Sequence, residues 1–181
     1  MARCALRRQG QGKMDEILVL TTGGTFDKIY FDAKSRFEVG HSVVEDLLQQ
    51  AVVKHPCRVV EVMRKDSLEL DDADRALIRA VILAAPNKRV VITHGTDTMT
   101  DTGRALADIT DKVIVLTGAL SPARFAETDA MFNLGMAFAA VQTSAPGVYI
   151  TMNGTVFDAL KVVKDRSLNA FTATQEPVGR R

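Results

Sequence analysis

Short runs of apolar residues, each bounded by polar residues, recur along the chain and constrain its fold more than any other feature. A strand without polar alternation is buried on both faces, as in parallel sheets that helices cover on both sides. Helical periodicity lies between the runs, so we expect a three-layer α/β/α fold around a mainly parallel, flavodoxin-like sheet. The predicted strands are residues 17–20, 57–63, 90–92, 113–116 and 148–152.

Start and stop signals predict helices in the segments that join these strands. Ser42 and Glu45 have the spacing of a capping box, which predicts a helix from there to about residue 53. Asp71 or Asp72 can cap the next helix, which ends before Pro86. Two further helices are predicted, one through residues 105–109 and one over residues 129–142.

The segment between the first strand and its helix has a different pattern. Residues 29–31 are aliphatic or aromatic, residues 36–39 alternate charged and apolar side chains, and the two segments flank the polar residues 32–35. Two such segments around a polar turn are typical of a β-hairpin. We therefore predict a hairpin flap over the carboxyl end of the first strand.

Length, charge and cysteine content narrow the class of protein. The net charge of +1 gives no bulk attraction to nucleic acid or to a membrane surface, so neither is an expected partner. Residues 1–14 are basic and lack the apolar core of a secretory signal, so we expect a disordered leader followed by a single domain over residues 15–181. Cys4 and Cys57 have neither disulfide-framework nor metal-site spacing, and a cytoplasmic location fits them.

Polar residues follow every predicted strand, at the edge where an open α/β sheet binds its ligands. Three of these segments are rich in hydroxyl groups and glycine, which allows close backbone approach to a ligand. Such an edge suits a small polar substrate better than a large apolar one. The segments are residues 21–25, 64–67, 94–98, 117–118 and 153–155.

Each of these segments also has a purely structural interpretation. Residues 22–25 can form a tight turn after a strand, and Thr96 and Asp97 can cap the helix that follows them. Asp66 lies between these two segments in chain order, and all three fall at one sheet edge, which favours a ligand site over a set of turns. His94 is interpreted as a structural residue that holds its own loop by hydrogen bonds.

Two motifs carry a resemblance to a known family. Thr22-Gly23-Gly24-Thr25 after a buried strand resembles one signature of the bacterial-type L-asparaginases, and residues 94–99, His-Gly-Thr-Asp-Thr-Met, resemble the other. The similarity continues through residues 117–119 and 152–158 and ends near Phe171. It implies hydrolysis of the side-chain amide of L-asparagine to L-aspartate and ammonia, with weaker activity on L-glutamine and with no metal or organic cofactor.

The resemblance also implies a role for individual residues. Thr25 would be the nucleophile and Tyr30 in the flap would help to activate it. Thr96, Asp97 and Lys164 would form a second group of hydroxyl, carboxylate and ammonium. Asp66 would hold the α-ammonium of the substrate with Ser67 nearby, and Thr96 and Asp97 would also contact the substrate. Backbone N–H groups at Gly24 and Thr25, or at Thr96, can bind the developing oxyanion.

The sequence departs from the long members of the family in three respects. Those members are about twice as long, with a smaller C-terminal domain that helps to complete the site of a neighbouring subunit. They carry a small hydroxyl residue two positions before the carboxylate, whereas here Ser67 follows Asp66. Phe26 is also bulkier than the usual aliphatic residue after the signature threonine.

Two other functions are compatible with the same residues. One is a non-catalytic domain that binds or senses an amino acid, and the other is an ammonia-supplying subunit of an amidotransferase. A binding domain has no need of two groups that pair a hydroxyl with a base. Apolar residues in the flap and in the helix of residues 129–142 further predict a homodimer or higher homo-oligomer.

Overall fold

The computed structural model describes residues 14–31 and 36–176, with only the backbone described at residues 29–31 and 36–37. Four α-helices and ten strands are formed within these residues. The helices are α1 (Val44–Gln50), α2 (Asp72–Ala84), α3 (Met99–Leu106) and α4 (Ala130–Thr143). The strands are β1 (Ile17–Gly23), β2 (Lys28–Phe31), β3 (Arg36–Val39), β4 (Cys57–Lys65), β5 (Arg89–Thr93), β6 (Val113–Thr117), β7 (Gly147–Met152), β8 (Thr155–Asp158), β9 (Val162–Asp165) and β10 (Ala170–Ala173).

A six-stranded sheet forms the centre of the fold, in the order β4-β1-β5-β6-β7-β8. The first five of these strands are parallel, and β8 alone runs antiparallel to its neighbour β7. In chain order the five parallel strands are arranged 2-1-3-4-5, which is the flavodoxin-like order. The predicted fold class is therefore confirmed. The point at which the order of strand addition reverses lies between β1 and β5.

Apolar side chains fill both faces of this sheet, as the unalternating runs predicted. Leu18 and Leu20 of β1 pack in one cluster with Ile78 of α2 and Leu106 of α3. The alternate residues of the same strands, whose side chains point to the other face of the sheet, pack against α1 and α4 in a second cluster. Because successive side chains of a strand point to opposite faces, each of the five parallel strands contributes to both clusters and the helices form two outer layers.

The start of α1 differs from its prediction. Val43 is the residue that precedes the helix and it provides no side-chain cap, so the Ser42–Glu45 capping box does not form. Instead, Val43 N–H donates to Asp27 Oδ1 at 3.0 Å, and Val44 N–H donates to Ser42 Oγ at 3.3 Å. A buried carboxylate from the preceding segment thus takes over the cap, a long-range contact that local spacing does not reveal.

The other predicted helices are present with small shifts in their ends. Asp71 caps α2 in a complete capping box with Asp74, in agreement with the prediction. Helix α3 ends at Leu106, and Ile109 lies in the turn that follows, still buried. The predicted hairpin flap is also present, since β2 and β3 pair antiparallel with Lys28 opposite Val39.

Residues 1–13 and 32–35 lie outside the described residues. The leader and the turn of the flap therefore stay predictions. Strands β8, β9 and β10 were not predicted at all. Asn153 and Gly154 have positive φ angles of 51° and 75° and form the tight turn between β7 and β8. This pair, which the sequence favoured as part of the ligand-binding edge, is therefore a hairpin turn.

Candidate active site

The loops after β1 and β5 are in direct backbone contact at the carboxyl edge of the sheet. Gly24 has φ +80°, and a Cβ placed on it would lie 2.5 Å from both N and Cα of Gly95. No side chain fits that space, so glycine is required there both for its conformation and for the contact. The two signature motifs thus adjoin in the candidate site although Gly24 and Gly95 are 71 residues apart in the chain, and Thr25 and Thr96 are the next residues.

The loop after β4 packs against the same place. A Cβ on Gly95 would lie 2.5 Å from Ser67 Oγ, and Ser67 is only 1% exposed. Thr98 Oγ1 donates to the carbonyl oxygen of Ser67 at 2.7 Å. The β4 loop is therefore fixed against the β5 loop, which brings the predicted binding residue Asp66 to the edge that carries both motifs.

Thr96, Asp97 and Lys164 form one hydrogen-bonded group. Lys164 Nζ donates to Thr96 Oγ1 at 2.7 Å and to Asp97 Oδ1 at 2.9 Å. Lys164 lies on β9, where its backbone pairs with Phe171 of β10. Its side chain is 12% exposed and that of Asp97 is 34% exposed, so the ammonium is shielded from water more than the carboxylate. Since the Nζ proton is directed at Thr96 Oγ1, the hydroxyl proton of Thr96 is available for another partner.

The β9–β10 hairpin that carries Lys164 is held to the central sheet by the β7–β8 turn. Phe171 N–H donates to Asn153 Oδ1 at 2.8 Å. The side chain of Phe171 is 4% exposed and belongs to the core cluster on the side of α2 and α3. Asn153 thus contributes to the candidate site indirectly, because it fixes the hairpin from which Lys164 contacts Thr96.

His94 is fully buried beneath the β5 loop. Its Nδ1 lies 2.7 Å from the carbonyl oxygen of Gly95, and its Nε2 lies 2.8 Å from Thr102 Oγ1. A carbonyl only accepts, so Nδ1 carries the proton and Nε2 accepts from the threonine hydroxyl. Burial lowers the pKa of His94 to about 4, so the ring is neutral at physiological pH. This geometry agrees with the structural role that the sequence suggested.

Thr25 begins a single 3₁₀ turn, Thr25–Asp27, at the entrance to the flap. Phe26 is completely buried and its carbonyl oxygen accepts from Ala123 N–H at 3.2 Å, while Thr25 is partly exposed. The bulky Phe26 therefore anchors the turn from below. Tyr30 belongs to β2, and its side chain lies outside the described residues.

Asp27 is a buried carboxylate two residues after Thr25. It is 1% exposed, and its Oδ2 has no hydrogen-bond partner within the described residues. Burial raises the pKa of Asp27 to about 6, against the lowering effect of hydrogen bonds from Val43 N–H and the Ser42 side chain. This residue, which sequence reasoning missed, ties the turn of Thr25 to the start of α1.

Asp66 forms an ion pair with the flap. Lys28 Nζ lies 2.7 Å from Asp66 Oδ2, and Leu68 N–H donates to Asp66 Oδ1 at 3.1 Å. Burial alone would raise the pKa of Asp66, but the hydrogen bonds from Lys28 and Leu68 outweigh it and the pKa is lowered. Lys28 was also missed by sequence reasoning, because a lysine three residues after the signature threonine carries no recognisable spacing.

The part of the chain that the structure describes holds no group of three or more His, Cys, Asp and Glu residues suited to a metal ion. Within the same residues, no helix is both long enough and apolar enough to cross a bilayer.

The fold and the site together define a class of protein. It is a doubly wound α/β domain whose candidate small-molecule site is built from polar loops at the carboxyl ends of its strands. A family model described as "Asparaginase, N-terminal" matches residues 16–180, so the chain belongs to the asparaginase family.

Named relatives agree with this assignment. L-asparaginase of Thermococcus kodakarensis is 29% identical over 176 residues, and L-asparaginase 2 of Escherichia coli (strain K12) is 34% identical over 171 residues. The solved structure of the Thermococcus enzyme has a TM-score of 0.78 and covers 90% of this chain. A probable cytoplasmic L-asparaginase from Campylobacter jejuni has a TM-score of 0.72 at 28% identity and covers 88% of this chain and 51% of its own.

The chain spans about half the length of the curated relatives it matches. The alignments cover 90% and 88% of this chain but only 52% and 49% of the Thermococcus and Escherichia proteins. The solved structure of the Thermococcus enzyme is covered to the same 52%.

Proposed function

We propose that this chain hydrolyses the side-chain amide of L-asparagine to L-aspartate and ammonia, with L-glutamine as a weaker substrate. The observation that carries the proposal is the group of Lys164, Thr96 and Asp97, with Lys164 Nζ at 2.7 Å from Thr96 Oγ1. Asparaginase relatives at 29% and 34% identity support the reaction and the substrate.

In this proposal Thr25 is the nucleophile. Its Oγ attacks the amide carbonyl carbon, its proton passes through the site's hydroxyl groups to the departing amide nitrogen, and ammonia leaves an acyl ester on Thr25. Water then adds to the ester, which releases L-aspartate and returns the proton to Thr25. A threonine hydroxyl needs such a relay, because it is a poor nucleophile at its own pKa.

Lys164 serves the relay by directing a charged donor at Thr96 Oγ1. The contact stabilises negative charge that develops on Thr96 as its proton moves, and Asp97 holds the ammonium in position. The role of Tyr30 as an activator of Thr25 remains a prediction on which this mechanism depends. The N–H of Gly24 donates to the carbonyl oxygen of Lys65 at 3.0 Å, so Gly24 is not the predicted oxyanion donor. That role is proposed instead for the backbone N–H of Thr25 or of Thr96.

Binding of the substrate's amino-acid head is proposed at the β4 loop. Asp66 offers a carboxylate with 28% of its side chain exposed, which suits an α-ammonium group. A direct contact from Ser67 stays a prediction, since that side chain packs against Gly95.

The test is ammonia release from L-asparagine, L-glutamine and D-asparagine. We expect Thr25→Ala and Thr96→Val each to lower kcat by about a thousandfold or more, and Lys164→Met by about a hundredfold, in line with the loss of members of a catalytic group. Thr143→Val is the matched control, because the Thr143 hydroxyl bonds only its own helix, to Ala139 O at 2.8 Å, and we expect full activity.

Either of two results would remove the proposal. A wild-type chain that releases no ammonia but melts at a higher temperature with L-aspartate would be an amino-acid-binding domain. Activity that appears only with a co-purifying larger protein would indicate the ammonia-supplying subunit of an amidotransferase.

Three further features are proposed with this function. Residues 15–181 are proposed to act as one catalytic domain and to associate as a homodimer or higher homo-oligomer, supported by the 62% exposure of Phe132. A cytoplasmic location is proposed from the free thiol of Cys57 and from the name of the Campylobacter relative.

A further inference from the structure

A cleft of about 570 Å³ lies between α2 and α3, in the helical layer on one face of the sheet. Three arginines line it, Arg75 and Arg79 from α2 and Arg104 from α3. Arg75 and Arg79 are four residues apart, so their side chains lie on the same face of α2. A volume of this size is in the range of small-molecule sites, and none of the three arginines belongs to the candidate active site.

The guanidinium groups of Arg75 and Arg104 are more buried than the carboxylates that pair with them. Each arginine side chain is 13% exposed. Arg75 Nη1 donates to Asp72 Oδ1 at 3.1 Å, and Arg104 Nη2 donates to Asp101 Oδ1 at 2.6 Å. The side chain of Asp72 is fully exposed and that of Asp101 is 51% exposed. Because water screens the carboxylates more than the guanidinium groups, the base of the cleft has a positive potential.

The effect of this potential is also present at His94. Burial is the main cause of the low pKa of His94, and the positive charge of Arg75 lowers this pKa further. The effect of Arg75 is larger than the opposing effect of Asp101. The net electrostatic influence of these two lining residues on the interior is therefore that of a cation.

Both buried arginines also have an N–H donor without a partner. Arg75 Nε and Arg104 Nη1 are buried and form no hydrogen bond with the described part of the chain. Ion pairs on a helix surface contribute little to stability and do not require a buried guanidinium. A buried charged donor that lacks an acceptor lowers stability. The two donors therefore favour an anionic acceptor from solution.

Arg79 differs from these two residues because its charge is already neutralised. Its Nη1 and Nη2 donate to the two carboxylate oxygens of Asp108 at 2.6 and 2.8 Å. Asp108 follows the last residue of α3, so this bidentate pair joins the two helices and fixes their separation at one end of the cleft. Arg75 and Arg104 remain as the donors on the two opposite walls.

We propose that this cleft binds the phosphate group of a small molecule, with Arg75 and Arg104 as its donors. A phosphate group carries nearly two negative charges and directs three acceptor oxygens in different directions, so it can bond both walls at once. A planar carboxylate instead pairs with one guanidinium. The alanines Ala76 and Ala105 also line the cleft and leave room for the rest of the ligand.

The experiment titrates inorganic phosphate into the wild-type chain by calorimetry, with L-aspartate present to occupy the candidate active site. Malonate at equal ionic strength is the dicarboxylate comparison. The variants are Arg75→Gln and Arg104→Gln. Arg89→Gln is the matched control, because it removes an arginine of β5 that lies outside the cleft and pairs with Asp15 at 2.7 Å.

We expect one phosphate per chain with a Kd of about 1 mM or lower, and weaker binding of malonate. Each of Arg75→Gln and Arg104→Gln should weaken phosphate binding at least about tenfold, the effect of losing a hydrogen bond between charged groups. Arg89→Gln should change it by less than about twofold, because its charge is outside the cleft. Saturating phosphate should raise the melting temperature of the wild type.

A second measurement uses the wild type and does not depend on the folding of a variant. In ¹⁵N-labelled protein, the Nε–H signal of Arg75 should shift downfield as phosphate is added, with the same midpoint as the calorimetric titration. Arg75→Lys identifies this signal by its loss.

Phosphate affinity that both glutamine variants retain would overturn the proposal, and so would an Nε–H signal of Arg75 that phosphate does not move. Malonate that binds as tightly as phosphate would overturn the assignment to a phosphate group. No turnover is measured, so the two proposals fail separately. An inactive chain that binds phosphate at Arg75 and Arg104 would remove only the proposed function, and an active chain that does not bind phosphate would remove only this inference.

Discussion

Two buried titratable side chains, His94 and Asp27, support the loops that carry Thr96 and Thr25. Both ring nitrogens of His94 have partners, whereas Asp27 Oδ2 has none within the described residues. Burial disfavours the charged form in both cases, so it lowers the pKa of His94 to about 4 and raises the pKa of Asp27 to about 6. The contributions of these two side chains to the free energy of unfolding therefore change with pH in opposite directions.

The sign follows from proton binding. Folded Asp27 keeps its proton up to about pH 6, while the ordinary pKa of an aspartate in the unfolded chain is 3.8, so the folded state binds more protons between these pH values. The contribution of Asp27 to stability is therefore present in full below pH 3.8 and is lost as pH rises through about 6. Unfolded His94 binds the extra proton between pH 4 and 6.5, so its contribution is lost as pH falls through that window.

Asp27→Asn separates the two effects, because His94 is unchanged in both proteins. The amide oxygen can keep the bond from Val43 N–H, and the charge is gone. Relative to wild type, we expect the variant to gain about 2–3 kcal/mol of unfolding free energy between pH 4 and pH 8. Urea unfolding at several pH values measures this difference. A difference that does not change with pH would mean that Asp27 is ionised in the fold as readily as in the unfolded chain.

At the scale of elements, four threonines form a row across the carboxyl end of the sheet. Thr21, Thr93, Thr117 and Thr151 are paired in register on β1, β5, β6 and β7, and each is fully buried. Thr117 Oγ1 donates to Thr151 O at 3.0 Å. The hydroxyls of the other three have no partner within the described residues. One hydroxyl of the row therefore donates a hydrogen bond, and the other three have no partner within the described residues.

This contrast predicts opposite effects of one substitution. Thr93→Val removes a buried hydroxyl without a partner at nearly constant shape, so we expect it to stabilise the fold by up to about 1 kcal/mol. Thr117→Val removes a hydrogen bond, so we expect a loss of about 1 kcal/mol or more. Urea midpoints at constant m-value give both numbers. A loss of stability in Thr93→Val would indicate that a buried water bonds this hydroxyl in solution.

The sequence predicted the elements whose signals are local. The parallel strands were found because apolar runs such as residues 113–116 are buried on both faces, and α2 was found because Asp71 and its helix face are contiguous in sequence. Strands β8–β10 are four residues long, and three of the four residues of β8 are exposed, so they carry no comparable run. Their positions are fixed by tertiary contacts, such as the bond from Phe171 N–H to Asn153 Oδ1.

The residues of the candidate site likewise fall into those that local motifs predicted and those that depend on long-range contacts. Thr25, Thr96 and Asp97 lie in motifs, and the structure brings their loops together through Gly24 and Gly95. Lys164 was located only by counting from a resemblance, and the structure brings it to Thr96. Lys28 and Asp27 were missed, because an ion pair with Asp66 and a cap on α1 depend on contacts 38 and 16 residues away in the chain.

At the scale of the whole molecule, several large apolar side chains are exposed to solvent. The chain spans about half the length of its relatives. Phe132 of α4 is 62% exposed and lies beside the β7–β8 turn, with its ring 3.8 Å from the Cβ position of Gly154. Val156 of β8 is 45% exposed. A large aromatic residue beside an edge strand is suited to an interface with a second copy of the chain.

Phe132→Ser tests this association. We expect light scattering after size exclusion to give wild type at least twice the monomer mass of 19.7 kDa, and the variant to shift toward the monomer at micromolar concentration. A central aromatic anchor contributes about 2 kcal/mol or more to an interface, so its loss weakens dimerisation at least about thirtyfold. Leu83→Ser is the matched control: Leu83 is 52% exposed but lies on α2, across the sheet from α4, so this variant should keep the wild-type mass. A wild type that is monomeric at all concentrations would contradict the homo-oligomer, and dissociation of Leu83→Ser instead of Phe132→Ser would move the interface to the other layer of helices.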